Sequence, residues 1–388
     1  MDYELTEEQR KKKDAFERFC VQQIEPSSLL IEKGGKKGQK KLKACYGHLG
    51  EVGYLGLRVP EQWGGQGEEL MLGVACDEIL AKACRSTYLS AYTSAVHCGR
   101  LIERYGSTEQ KKVVLGGLSA GRRIASIARS EAKAGSDVQG ITTEVQKQGG
   151  GFLLNGQKDY CVNAPIADDF LVFARSGEVN SPEKGLSVFL VPAGLPGVEI
   201  EETVETMGYT GTPICRVAFN QCTLPQDSLL GVEGRGWEIV QESLEWDATG
   251  IVSTSVAIIE KTLEASLAYS QERMVFGKPI GSYQEVSFKL AEIKVMLDTA
   301  RLLSSKAAWL KDIGDLEAKV FLSCAKLYAS EAATKCSSYA VQIHGGQGLI
   351  KGSLTERLYR DARYGEIGGG TSEIHRLSIA KAVLQAVE

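Results

Sequence analysis

The sequence predicts an α+β chain of three zones: helical, then all-β, then helical again. Three observations carry this. Apolar residues recur at three- and four-residue spacing before about residue 123 and again after about residue 233, the stripe of helices packed on one face. Between 124 and 232 the text turns to short alternating apolar runs, as strands require. Gly, Pro and Asn punctuate that middle zone, whereas the last zone holds long uninterrupted periodic runs. The expected domains are therefore 1–123, 124–232 and 233–388.

In the first zone, LTEEQRKKKDAFERFCVQQIE places Leu5, Phe16, Phe19 and Ile24 at roughly helical spacing, with Thr6 and the following acids as a start signal. YLGLRVPEQWGGQG interrupts the helices with Pro60 and glycines and reads as a loop. In the middle zone, Asn155-Gly156 between two apolar stretches predicts a hairpin turn. DDFLVFA, LSVFLVPA and CRVAFNQCTLP add strands. In the last zone Ile251, Val252, Val256, Ile259, Leu263 and Leu267 mark one face of a long helix. Two more long helices and the final SEIHRLSIAKAVLQAV complete a set of four suited to a bundle.

Composition excludes several classes. The formal net charge is -4, with 24% charged and 43% hydrophobic residues, which gives no reason to expect nucleic acid or a membrane surface as partner. No run approaches the length of a membrane span, and the N-terminal text has neither an apolar nor an arginine-rich targeting pattern. Ten cysteines show no C-x-x-C pair and no zinc spacing, so no metal is expected. They read as small buried hydrophobes in a reducing compartment, and a cytoplasmic location is expected.

Six stretches decide the family: VPEQWGGQG, SEAKAGSDV, LNGQKDYCVNAPIADDFLVFA, ERMVFGKPIGSYQ, QIHGGQGLIKGSLTERLYRDAR and GGGTSEIHR. In this order, and in these zones, they resemble the acyl-CoA dehydrogenase family over essentially the whole chain. The resemblance implies an N-terminal helical domain, a middle β-barrel and a C-terminal four-helix bundle, with FAD between barrel and bundle and a homotetramer as the assembly. It implies removal of a proton from the carbon next to a thioester carbonyl and transfer of a hydride from the following carbon to the flavin.

Residue by residue, the resemblance implies that Ser130, Gly135, Tyr160 and Val162 lie along the flavin, with Ser136 close to substrate. Ser130 and Val162 each stand where the family has a threonine, and Tyr160 where it has a tryptophan. Arg273, Phe276 and Gln284 match residues that reach the adenine and pyrophosphate, and arginine suits pyrophosphate through paired charge-assisted bonds. Gln342, Gly345 and Gly346 match a glycine turn contributed by a neighbouring subunit, and Thr371 and Glu373 follow near the dinucleotide. His344 and His375 have no partner at metal or triad spacing and read as structural.

The glutamate that usually precedes the G-T-S-E-I motif is missing here, because Gly368 and Gly369 occupy that stretch. The reaction nevertheless needs a carboxylate at the α-carbon in a dry pocket. Some family members carry it on the first long helix of the C-terminal domain, and counting back from Phe276-Gly277 places that position on Asp247, one methylene shorter than glutamate. Burial beside Trp246 is expected to strengthen it as a base; Glu245 is the neighbouring alternative, and a water relay the third. The absent side chains of Gly368 and Gly369 are expected to open room for a branched or cyclic acyl group.

EWDATGIVSTSVAIIEKTLEASLAY and NAPIADDFLVFA look like members acting on carrier-protein thioesters, so the acyl group is expected on CoA or on an acyl-carrier protein. An electron-transferring flavoprotein or oxygen would take the electrons. Two other classes compete: a flavin-dependent monooxygenase or oxidase on the same fold, needing no α-carbon base, and a flavin-binding protein without dehydrogenase activity.

Overall fold

The computed structural model describes residues 4–177 and 185–385; the outer ends of the first and last zones, 1–3 and 386–388, lie outside them. The first helix, α1 (Glu7–Phe19), opens as the sequence suggested. Thr6 caps it, accepting from the Gln9 amide while the Gln9 side chain returns to the Thr6 amide. After α2 (Ser28–Glu32) and α3 (Gly35–Glu51) comes the Pro60 loop, then α4 (Leu70–Ala83) and α5 (Arg85–Ala91). A π-helical stretch, Tyr92–Cys98, continues into α6 (Gly99–Tyr105), and α7 (Thr108–Ser119) ends the helical domain.

The middle domain is one eight-stranded sheet. Its strands are β1 (Ala125–Ala128), β2 (Glu144–Gln148), β3 (Gly151–Val162), β4 (Asp169–Arg175), β5 (Leu186–Pro192), β6 (Val198–Thr203), β7 (Ile214–Pro225) and β8 (Leu229–Leu230). The order is β6-β7-β3-β2-β4-β5-β8, with β1 on β4, and a single parallel pair, Glu144 with Arg175, joins the halves. The halves close on one core, across which Phe152 meets Phe189 and Phe170 meets Phe219 edge to face. Asn155-Gly156 is not the predicted turn. The hairpin turns at Gly149-Gly150, and β3 runs straight through Asn155 and Gly156 with a bulge against β7. The Asn155 side chain accepts from Gln221 on β7, and Gly156 (φ +144°) is pressed against Thr143.

The last domain holds α8 (Gly236–Glu272), a short hairpin β9 (Met274–Val275) and β10 (Lys278–Pro279), α9 (Gln284–Asp312), α10 (Ala318–His344), α11 (Leu354–Tyr364) and α12 (Ser372–Gln385). Thus α8, α9, α10 and α12 supply the four expected helices, with α11 inserted between the last two. The predicted α8 stripe is buried from Ile251 to Ile259, but Leu267 is exposed near the helix end. No helix of the described residues is long and apolar enough to cross a membrane.

Two contacts hold α8 where the site needs it. Tyr88 and Tyr92 donate to the α8 carbonyls of Gly250 and Trp246, at 2.9 and 2.7 Å. A Cβ on Gly250 would sit 2.5 Å from the Tyr92 ring, so this approach requires glycine. Asp361 on α11 joins all three domains: it pairs with Arg85 at 2.5 Å and accepts from the Tyr209 amide at 2.7 Å.

Candidate active site

A cavity of ≈ 820 Å³ opens where the three domains meet. Its walls come from α5 and the π-helical stretch, the end of β1 with its following loop, β3, α8, α10, and the segment between α11 and α12. Ser130, Gly135, Ser136, Tyr160, Val162, Asp247, Gly368, Gly369 and Thr371 all line it. A bulge between Lys158 and Cys161 turns Tyr160 into the cavity with φ 57°, a conformation that costs a non-glycine residue about 1–3 kcal/mol.

Asp247 is placed by α8 but held by the β domain. Its carboxylate pairs with the Arg129 guanidinium at 3.0 Å. Arg129 also donates to the Ser243 hydroxyl at 2.6 Å, and Ser243 is 2.8 Å from Nε2 of His97. Burial is the main cause that pulls the His97 imidazole down to about 4, so it is neutral near pH 7. Beneath this chain, the buried Lys158 ammonium donates to the Arg129 carbonyl at 3.0 Å and to Glu131 at 2.8 Å. Glu131 also accepts from the Thr142 and Thr143 amides. Burial pushes the Glu131 carboxyl up, but Lys158 and these donors outweigh it and hold the group down to about 2.

Several expectations change. Trp246 does not line the cavity: it faces the helical domain, where it packs in the core and its indole donates to Glu242. Successive helical residues point about 100° apart, and here that step turns Trp246 away from the wall that Asp247 lines. The neighbour of Asp247 is therefore a guanidinium rather than an aromatic face. Glu245 reaches the cavity edge, but Lys311 and Lys319 grip it at 3.0 and 2.9 Å and hold its carboxyl below the usual range against burial, which makes it a poor base.

Both glycines line the cavity, but at neither is the Cβ direction open. A Cβ on Gly368 would lie 2.7 Å from the Tyr364 ring, and one on Gly369 (φ +60°) 3.0 Å from the Ala248 amide nitrogen on α8. The position a Cβ would take at each glycine is therefore already occupied, while both glycines face the cavity.

Arg273, Phe276, Gln284, Gln342, Gly345, Gly346 and Glu373 do not line the cavity of their own chain. Phe276 is 93% exposed on the β9–β10 hairpin. The stretch of α8 from Asp247 to Arg273 spans roughly 39 Å at 1.5 Å per residue. Tyr269 and His344 stack with ring centroids 4.3 Å apart, so the Arg273 and Gly345 motifs share the same far end of the bundle. His375 lines the cavity, with Nε2 on the Gly369 carbonyl at 2.9 Å and Nδ1 buried without a partner. Arg129, Ser243 and His97 were not singled out from the sequence. The available signal was a lone arginine ending the apolar strand text ASIA, just before SEAKAGSD.

A helical domain, a β domain and a helical bundle sharing one cavity of this lining define a flavoprotein oxidoreductase. Three family models agree: acyl-CoA dehydrogenase N-terminal domain over residues 6–122, middle domain over 126–222 and C-terminal domain over 234–384. The chain belongs to the acyl-CoA dehydrogenase family and is an FAD-dependent enzyme of acyl-CoA oxidation. The probable acyl-CoA dehydrogenase YngJ of Bacillus subtilis (strain 168) is 36% identical over 386 residues, 99% of this chain and 100% of that one. Butyryl-CoA dehydrogenase from Megasphaera elsdenii superposes with TM-score 0.93 at 28% identity, covering 99% of this chain and 100% of that one. The prolyl acyl carrier protein oxidase AnaB superposes with TM-score 0.89 at 30% identity, covering 98% and 100%.

The cavity fits FAD. A Cβ on Gly135 meets nothing within 4 Å, so the backbone there faces open space, and the orphaned Nδ1 of His375 awaits a polar partner. Ser130, Ser136 and Thr371 offer hydroxyls, while Tyr160 and Val162 offer apolar surface. When bound, FAD supplies the hydride acceptor.

Proposed function

We propose that this chain is an acyl thioester dehydrogenase in which Asp247 takes the α-proton, replacing the carboxylate missing at Gly369. The observation that carries the reading is one of position. Asp247 lines the cavity, and its backbone carbon lies 3.1 Å from the Cβ that Gly369 lacks. The two residues therefore occupy adjoining parts of one wall. Glu131, Asp159 and Glu245 also line the cavity and, like Asp247, each pairs with a lysine or arginine, but only Asp247 is among the nearest neighbours of the Cβ that Gly369 lacks. FAD held in this cavity would supply the hydride acceptor, and Asp247 would take the proton from the carbon next to the one that gives up the hydride.

The acyl group rides on CoA or on an acyl-carrier protein, and the likeness to AnaB supports keeping the second carrier. An electron-transferring flavoprotein or oxygen accepts the electrons. The Arg273–Phe276 and Gln342–Gly346 motifs serve the FAD of a neighbouring subunit, since roughly 39 Å of helix separates Arg273 from its own cavity. That arrangement makes the homotetramer part of the site. Free cysteines, nearly all buried, fit a reducing, cytoplasmic setting.

The test is anaerobic mixing of the holoenzyme with acyl thioesters. Asp247→Asn keeps shape and removes basicity, so flavin bleaching should slow at least about a hundredfold with FAD still bound. Bleaching at the wild-type rate would refute the assignment, and oxygen uptake without thioester desaturation would turn the reading to an oxygenase.

A further inference from the structure

We infer that Arg129 is a specificity-determining residue that takes a carboxylate borne by the acyl group itself, so that the substrates are short dicarboxylic acyl thioesters. This rests on the thioester reading above and adds the chemical class of the acyl group.

The argument starts from where a permanent cation has been put. Arg129 follows directly after the last residue of β1, its backbone fixed by Lys158, and its side chain enters the cavity 11% exposed. Leu89, Ile127 and Leu244 line the same cavity and would serve a hydrocarbon chain without help. A guanidinium there is costly to desolvate, and pairing with Asp247 offsets that cost only in part. A hydrocarbon acyl group would leave the cation with no further use.

The remaining donors point to that use. A guanidinium has five N–H donors in a planar fork, and the contacts to Ser243 and Asp247 occupy one each of Nη1 and Nη2. Arg129 lines the cavity with its side chain 11% exposed, so the donors left over can face a bound molecule. The fork matches a second carboxylate, which a substrate can bring. Its distance sets the length of the acyl group. The guanidinium lies 3.0 Å from the oxygen of Asp247, which must itself reach the α-proton. The substrate carboxylate therefore sits only a few bonds from the reacting carbons. By sharing the guanidinium, it also loosens the hold on Asp247 while the proton is transferred.

The experiment compares glutaryl-pantetheine with pentanoyl-pantetheine, which carry the arm common to both carriers and differ in the terminal carboxylate. Binding is read from the FAD absorbance shift of Asp247→Asn holoenzyme, where turnover is blocked, and turnover from flavin bleaching of the wild type. The glutaryl ester should bind at least about tenfold tighter and bleach at least about tenfold faster at limiting concentration. Adding Arg129→Leu should erase or invert the binding preference with FAD content unchanged, whereas Arg129→Lys should retain part of it. Equal or tighter binding of the pentanoyl ester overturns the inference, even if that ester is oxidised and the dehydrogenase reading stands. Glutaryl selectivity lost in Arg129→Leu, without flavin bleaching in the wild type, upholds Arg129 and defeats the dehydrogenase reading instead.

Discussion

Gly369 lies flat against α8 beside Asp247: a Cβ there would stand 2.8 Å from Ile251 Cδ1 and 3.1 Å from the Asp247 carbonyl carbon. With φ at +60° the backbone also disfavours any L side chain. Restoring the usual carboxylate by substitution therefore strains the backbone and crowds α8. Gly369→Glu should cost about 1–3 kcal/mol from backbone strain alone, with overpacking added, and should lower the thermal midpoint without raising turnover. A stable, more active Gly369→Glu enzyme would show that the loop moves away from α8 freely.

The Glu131–Lys158 pair should support the site as well as the fold. Lys158→Met leaves a buried carboxylate uncompensated and should cost about 3–5 kcal/mol. The double variant with Glu131→Gln should recover much of that loss in a thermal melt. Because Glu131 is held down to about 2, its contribution is fully present above the ordinary carboxylate range. It should fade as pH falls from about 4 toward 2.

His97 gives a different acid signature. Its imidazole is pulled down to about 4, below its unfolded value, so the unfolded chain binds the extra proton first. Stability should fall as pH drops from about 6.5 to 4, by roughly 3 kcal/mol from this group. His97→Gln should flatten the slope of melting temperature against pH in that window. An unchanged slope would show that the ring is hydrated and titrates normally.

Phe288, Val295 and Leu302 form an exposed apolar line at seven-residue spacing on α9, each 59–63% exposed in the single chain. Leu302→Glu should break the proposed assembly, reducing the mass seen by light scattering, and FAD content should fall with it. Retention of FAD by a monomer would refute the shared-site arrangement.

What the sequence determined by itself was whatever local order encodes. Helical periodicity marked α8, α9 and α10, alternation marked the β zone, and motif order led to the family and, by counting along one helix, to Asp247. What it could not determine was which side chains meet across the fold. Asn155-Gly156 reads as a turn locally, but Gln221 on β7 claims Asn155, and the pair becomes a bulge. Trp246 and Asp247 are neighbours in text, yet one helical step of about 100° sends them into different domains' surroundings. Gly368 and Gly369 look like removed bulk, but the Tyr364 ring and the α8 backbone occupy the positions their Cβ atoms would take. Arg129 and Asp247 are 118 residues apart, and their pairing depends on β1 and α8 being packed against one cavity. Periodicity reports only which residues share a face of one element. The chemistry of this site comes from contacts between elements, which exist only once the three domains have closed around the cavity.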